Sequence, residues 1–298
     1  MTRLRLGTRG SSLALVQSET VASLLTGQYP GLEVELVEIA TAGDRDRTTP
    51  LAEGRGWFTT AIQEALQRGE IDLAVHSYKD LPTERPEGLV IAAVPLRADP
   101  RDALVSRDGR RLRDLPSGAV IGTSSPRREV QLRAMRPGLE VRPIRGNVET
   151  RIAKVRRGEY DATVLALAGL ERLGRAEEAA EVFGIDEMLP APAQGVLAVE
   201  CREGDVTTRE IVASIDDEDL RALVSAERSF LATLGAGCSF PAAAYAERFG
   251  TTVKLHGLIA PAGAIVRSRI GGAAATAAGI GRALALELCE LAGIAPGH

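Results

Sequence analysis

A chain of 298 residues with 45% hydrophobic and only 3% aromatic content holds enough apolar material for two or three domains, with cores of Leu, Val, Ile and Ala. Its three cysteines and three histidines are widely spaced with no C-x-x-C, which argues against a disulfide framework, zinc or a His-built metal site and points to a reducing, cytoplasmic setting. The net charge of −4 conceals a basic window, residues 101–160, with 15 Lys+Arg against 7 Asp+Glu; Tyr160 is its only aromatic, so small polyanions suit it better than nucleic acid.

"MTRLRLGTRG" carries no apolar signal core, and no run of about 18 apolar residues occurs, so neither export nor a membrane span is expected. "RLRLGT" reads as a strand and "SSLALVQSETVASLL" as a helix opened by Ser and closed by Gly27. "EVELVEIAT" is a second strand, "FTTAIQEALQRG" a helix ended by Gly69, and "IDLAVHS" a third strand. This is a βαβαβ unit with a parallel sheet.

After "RADPRDALVS" the pattern starts again: "GAVIGT", "SPRREVQLRAM", "LEVRPI", "NVETRIAKVRRG" and "DATVLAL" alternate strand and helix. The two openings are alike, Gly7-Thr8-Arg9-Gly10-Ser11 and Gly122-Thr123-Ser124-Ser125-Pro126. "PAQGVLAVECR" reads as a strand that returns the chain to the first domain. From about residue 218 come a long helix ending at Gly235, a cysteine loop, three strand-like segments and a last helix. The expected fold class is therefore α/β: two similar bilobal domains around a cleft, residues 1–97 with 194–215 and residues 98–193, plus a small α+β domain over 216–298.

In "GTSSPRR", Ser125 can cap a helix and Pro126 suits its first position. Free N–H groups there, with Ser124, Arg127 and Arg128, form a candidate anion site; an ordinary cap with two solvated arginines is the plainer reading. "RGNVETR" repeats the design with Asn147 as cap and Arg145 and Arg151 beside it, and Arg9 with Ser11 in "TRGSS" adds a third. In "AVHSYKDLP", Lys79 and Asp80 follow a buried strand, at the sheet edge where open α/β folds place ligands. Asp80 can stabilise a cation or relay a proton, or simply turn the chain before Pro82. His76 reads as a strand residue. Cys238, in the Gly-rich loop "LATLGAGCSFP", is inert, a nucleophile, or an attachment point; Cys201 and Cys289 read as small core residues.

Together "TRGSSLAL", "VHSYKDLP", "DPRDALVS", "GTSSPRR", "RGNVETR", "GEYDATVLALAGLERLG", "PAQGVLAVECR" and "GAGCSFP" resemble the porphobilinogen deaminase (hydroxymethylbilane synthase) family nearly end to end. The resemblance implies a periplasmic-binding-protein-like fold and a dipyrromethane cofactor held by a thioether to Cys238. It implies a reaction in which four porphobilinogens join head to tail with loss of ammonia, followed by hydrolysis to linear hydroxymethylbilane. Arg9, Ser11, Lys79, Ser124, Ser125, Arg127, Arg128, Arg145, Asn147 and Arg151 would bind pyrrole carboxylates. Asp80, with Lys79, would be catalytic, and Phe58, Ser77 and Gln194 would line the site. No metal is implied, and a monomer is expected. The chain departs from the family at "GRGWF", with Arg55 and Trp57, and at "GAGCSFP". A non-enzymatic bilobal binding protein for a polycarboxylate is the alternative.

Overall fold

Apolar residues alternating inward draw Arg3–Thr8 into a strand, β1, in the computed structural model, which describes residues 3–40, 59–235 and 240–297. Ser11 then caps helix α1 (Ser12–Gln28), its side chain accepting the Ala14 N–H. The helix does not close at Gly27, whose φ stays out of the left-handed region; the chain turns at Gly31, with φ 92°. Strand β2 (Glu33–Glu38), helix α2 (Thr60–Gln67) and strands β3 (Leu73–Ser77) and β4 (Leu89–Ala93) follow.

The next stretch holds β5 (Asp102–Ser106), β6 (Val120–Gly122), α3 (Pro126–Met135), β7 (Glu140–Arg142), α4 (Val148–Arg156), β8 (Ala162–Ala166), the short helix α5 (Leu167–Arg172) and β9 (Glu181–Val182). Then come β10 (Leu197–Arg202), α6 (Val206–Ala213) and α7 (Glu218–Thr233). A meander of β11 (Ala242–Phe249), β12 (Thr252–Ile259) and β13 (Val266–Ala273) precedes the last helix, α8 (Ala277–Ala292). No helix of the described residues is long and apolar enough to cross a membrane.

The contacts divide the chain into two units, residues 1–98 with 196–221 and residues 99–195 with 222–298. The sheet of the first unit has the order β2-β1-β3-β10-β4, with β1 parallel to β2 and β3, and β10 antiparallel to β3 and β4. The second unit repeats the plan as β7-β6-β8-β5-β9, with β6 parallel to β7 and β8, and β5 antiparallel to β8 and β9. The expected parallel sheet thus stops at three strands in each unit. The fourth runs the other way because no helical crossover delivers it beside its neighbour.

Antiparallel entry has a geometric result. Asp102, the first residue of β5, pairs with Ala166, the last of β8, so the head of β5 lies on the edge where β6 and β8 end. Leu197 of β10 likewise pairs with Ser77, the last residue of β3.

The first sheet packs through Leu6, Val21, Leu25, Leu73 and Val199, and the second through Leu104, Ile121, Leu132, Val164 and Phe183. Each such side chain contributes about 1.5–3 kcal/mol of burial. The third sheet, β11-β12-β13, is covered by α7 and α8 through Phe230, Leu255, Leu284 and Leu288. The two helices meet at Gly281, where an added Cβ would stand 2.1 Å from the Ala226 carbonyl oxygen. Leu189 and Val130 pack with Ala243 and Leu258 of the same sheet.

Candidate active site

In the first unit β1 and β3 are parallel neighbours, so their carboxyl ends share one edge. Half-buried Arg9 and Ser11 follow β1 there. β3 ends in Ser77 and tightens into a 3-10 turn, Tyr78–Asp80, whose Tyr78 N–H donates to the Val196 carbonyl at 3.0 Å. Gln17 Nε2 donates to Ser77 Oγ at 2.9 Å and ties α1 to the strand end. Lys79 is half-buried; Asp80 is exposed, and no hydrogen bond or ion pair engages its carboxylate among the described residues.

Behind this edge His76 is a buried strand residue. Its Nε2 lies 3.0 Å from Glu200 Oε2, and Gln63 Nε2 donates to both Glu200 oxygens at 3.1 and 3.2 Å. All three side chains are buried, which leaves Glu200 fully partnered inside the core.

In the second unit the loops after β6 and β7 lie side by side because those strands are parallel. Ser125 caps α3 by accepting the Arg128 N–H, with Pro126 at its first position; Asn147 caps α4 through the Thr150 N–H at 2.9 Å. Exposed Ser124 joins the two loops, its Oγ donating to the Ile144 carbonyl at 2.8 Å and accepting the Ile144 N–H at 3.1 Å. Arg151 Nε donates to the Gly146 carbonyl at 2.8 Å. The half-buried Arg145 guanidinium makes no hydrogen bond or ion pair among the described residues.

Arg127 and Arg128 are not solvated: 4% and 6% exposed, they converge on Asp102 at the head of β5. Arg127 Nη1 donates to Asp102 Oδ2 at 2.7 Å and to the Leu189 carbonyl at 2.8 Å. Arg128 Nη2 donates to Asp102 Oδ1 at 2.7 Å, and its Nη1 to the Val164 carbonyl at 2.8 Å. Burial alone would raise the Asp102 carboxyl, but the charges of Arg127 and Arg128 outweigh it and hold the group far below the usual carboxylate range. Burial pushes the Arg127 guanidinium down, opposed by Asp102 and reinforced by Arg128.

Gln194, expected to line the site, has no exposed surface; its amide donates to the Pro100 carbonyl at 2.7 Å and to Asp102 Oδ1 at 3.0 Å. Cys238, Phe58, Arg55 and Trp57 lie outside the described residues. Asp102 itself is the residue that reading the motifs for function passed over. Its one signal is a charged residue at the head of an otherwise apolar strand, "DALVS". No group of three or more His, Cys, Asp or Glu side chains among the described residues could hold a metal ion.

Two like-ordered sheets, each with a serine-capped helix start and cationic side chains along its strand ends, make this an α/β protein of two similarly built sheets. Family models narrow the class. Residues 4–210 match "porphobilinogen deaminase, dipyromethane cofactor binding domain" and residues 222–290 match "porphobilinogen deaminase, C-terminal domain". A porphobilinogen deaminase of Syntrophus aciditrophicus is 47% identical over 291 residues, covering 96% of this chain and 95% of its own. One of Mycobacterium tuberculosis strain H37Rv is 48% identical over 299 residues, covering 97% and 96%. The chain belongs to the porphobilinogen deaminase family. Among solved structures, the methionine-binding protein MetQ aligns with a TM-score of 0.46 at 14% identity, over 72% of this chain and 89% of that one.

Proposed function

We propose that this protein is a hydroxymethylbilane synthase, and that the residues on the carboxyl edges of both sheets serve that one reaction. Four porphobilinogens are joined head to tail: in each step a C–N bond breaks as ammonia leaves, a C–C bond forms between pyrroles, and the attacking ring loses a proton. Hydrolysis then releases linear hydroxymethylbilane. The observation that carries the site reading is the arginine pair on Asp102. Two guanidinium groups face one buried carboxylate, so one positive charge is left over, and the Nε and Nη2 of Arg127 make no hydrogen bond among the described residues. A ligand carboxylate fits that donor edge, and the acetate and propionate of a pyrrole supply it.

The same donor set fits the acid groups of a dipyrromethane. Bound through Cys238, that group supplies the terminal pyrrole carbon from which the chain grows. Arg127 and Arg145, whose donors are available, bind and orient carboxylates, and Arg9, Ser11, Lys79, Ser124, Ser125, Asn147 and Arg151 assist at the helix starts. Arg128 acts mainly by holding Asp102. Asp80, exposed and unengaged at the end of β3, offers its negative charge to the pyrrole cation left as ammonia departs and accepts the proton released. Ser77 fixes the strand end that carries Asp80 and Lys79.

The three-domain division at 1–97 with 194–215, 98–193 and 216–298, a monomeric state, cytoplasmic location and indifference to nucleic acid belong to this reading. The division rests on the repeated strand–helix pattern, the monomer on the family resemblance, the location on the cysteine usage, and the indifference to nucleic acid on the lack of aromatics other than Tyr160 in the basic window. A polycarboxylate-binding protein without chemistry is disfavoured by the family match.

The intact mass of the purified protein tests the proposal. The wild type is expected to exceed its sequence mass by two linked pyrrole units, and Cys238→Ala is expected to show none. A wild-type mass that stays unmodified after incubation with porphobilinogen overturns it.

A further inference from the structure

We infer that Asp102 determines specificity: it cancels half the charge of the arginine pair, so that the site takes a monoanionic carboxylate and discriminates against dianions such as sulfate. The inference rests on the proposed role of Arg127 as a carboxylate ligand.

Asp102 has no exposed surface, and its oxygens are saturated by inward-facing donors. Oδ2 accepts Arg127 Nη1 at 2.7 Å; Oδ1 accepts Arg128 Nη2 at 2.7 Å, Arg128 Nε at 3.2 Å and Gln194 Nε2 at 3.0 Å. Five bonds to backbone and side chains, counting Arg128 to Val164 and Arg127 to Leu189, fix both guanidinium planes from behind. Arg127 alone keeps an unused edge. Its Nε and Nη2 make no hydrogen bond among the described residues, and neither is a fully buried nitrogen left without a partner.

The net charge of the three groups is therefore +1. In surroundings this dry, a monoanion neutralises it, whereas a dianion brings a second negative charge close to Asp102 that these three groups leave unmatched. A purely structural Asp102 would have one consequence on removal, loss of stability. A charge-setting Asp102 has a second and opposite one, a gain in dianion affinity.

Asp102→Asn keeps the shape and removes the charge. Calorimetric titration with sulfate and with acetate at constant ionic strength, each protein being the full chain in a Cys238→Ala background so that no dipyrromethane carboxylate occupies the arginine edge, reads binding without turnover. Sulfate is expected to bind Asp102→Asn at least about tenfold more tightly than wild type, with a smaller gain for acetate. The double variant Asp102→Asn/Arg128→Met restores a single positive charge and is expected to return sulfate to its wild-type affinity. An unchanged sulfate-to-acetate ratio in Asp102→Asn overturns the inference. If Asp102→Asn does not fold, Arg128→Met reads the same charge in the opposite sense: sulfate affinity must fall at least about tenfold, and no change is again refuting. The underlying reading fails separately. If Arg127→Gln leaves both the KM for porphobilinogen and sulfate binding unchanged, Arg127 is not a carboxylate ligand. Loss of both in Arg127→Gln, with an unchanged ratio in Asp102→Asn, sinks the present inference alone.

Discussion

Glu227 is a sensitive point for stability, and its replacement can be priced from two bonds. It lies on α7 with no exposed surface, Oε2 accepting the Ala193 N–H at 2.6 Å and Oε1 the Ala246 N–H at 2.8 Å. Glu227→Ala strands two buried amide donors, each worth about 1–3 kcal/mol. Part is recovered, because Ala193 is held at φ 61° and its release returns about 1 kcal/mol. The net expected loss is about 3 kcal/mol. Glu227→Gln keeps one acceptor but sets an NH₂ against the other amide, so about 2 kcal/mol is expected. Ala193→Gly keeps both bonds and removes the strain, for a gain of about 0.5–1 kcal/mol. Urea unfolding at a common m value ranks the four proteins. A Glu227→Ala midpoint within about 0.5 kcal/mol of wild type refutes the reasoning, since both amides would then have found other partners.

Gly281→Ala is expected to destabilise by about 3 kcal/mol or more, because its Cβ would meet the Ala226 carbonyl at 2.1 Å and that atom belongs to the backbone of α7; a thermal melt indistinguishable from wild type would show that the helices separate freely. His256 carries a pH dependence. Burial pushes its imidazole below the usual histidine value, against the pull of Glu247, and Nε2 makes no hydrogen bond, with Glu247 Oε2 3.7 Å away. The folded value lies below the unfolded one, so this residue has no effect above about pH 6.5 and lowers stability as pH falls beneath it. Urea midpoints at pH 7.5 and pH 5 should therefore converge in His256→Phe relative to wild type, and an unchanged difference would remove His256 as the cause.

Local chemistry was legible in the sequence where both partners of a bond lie within one turn. Ser11, Ser125 and Asn147 cap the helices expected of them because the hydroxyl or amide reaches an N–H only three residues on. The return of the chain through "VLAVECR" was legible from its apolar run. The burial of Arg127 and Arg128 against a carboxylate was not legible, because their partner stands 25 and 26 residues away, on a strand that only the sheet order brings alongside. Gln194 hides for the same reason: its amide is satisfied by residues more than 90 positions earlier. The antiparallel sense of β5 and β10 left no mark either, since buried strands of either direction read as the same apolar run.

That strand order also sets a timetable for synthesis. All five strands of the second sheet come from one continuous stretch, β5 through β9, residues 102–182. The first sheet is interrupted: β4, complete by residue 93, pairs only with β10, which begins at residue 197. As the chain leaves the ribosome, the middle of the protein can close its sheet while the beginning still waits with β3 and β4 unjoined. The segment made first is thus finished only after the second sheet, and for about a hundred residues of translation its open edge is exposed to mispairing.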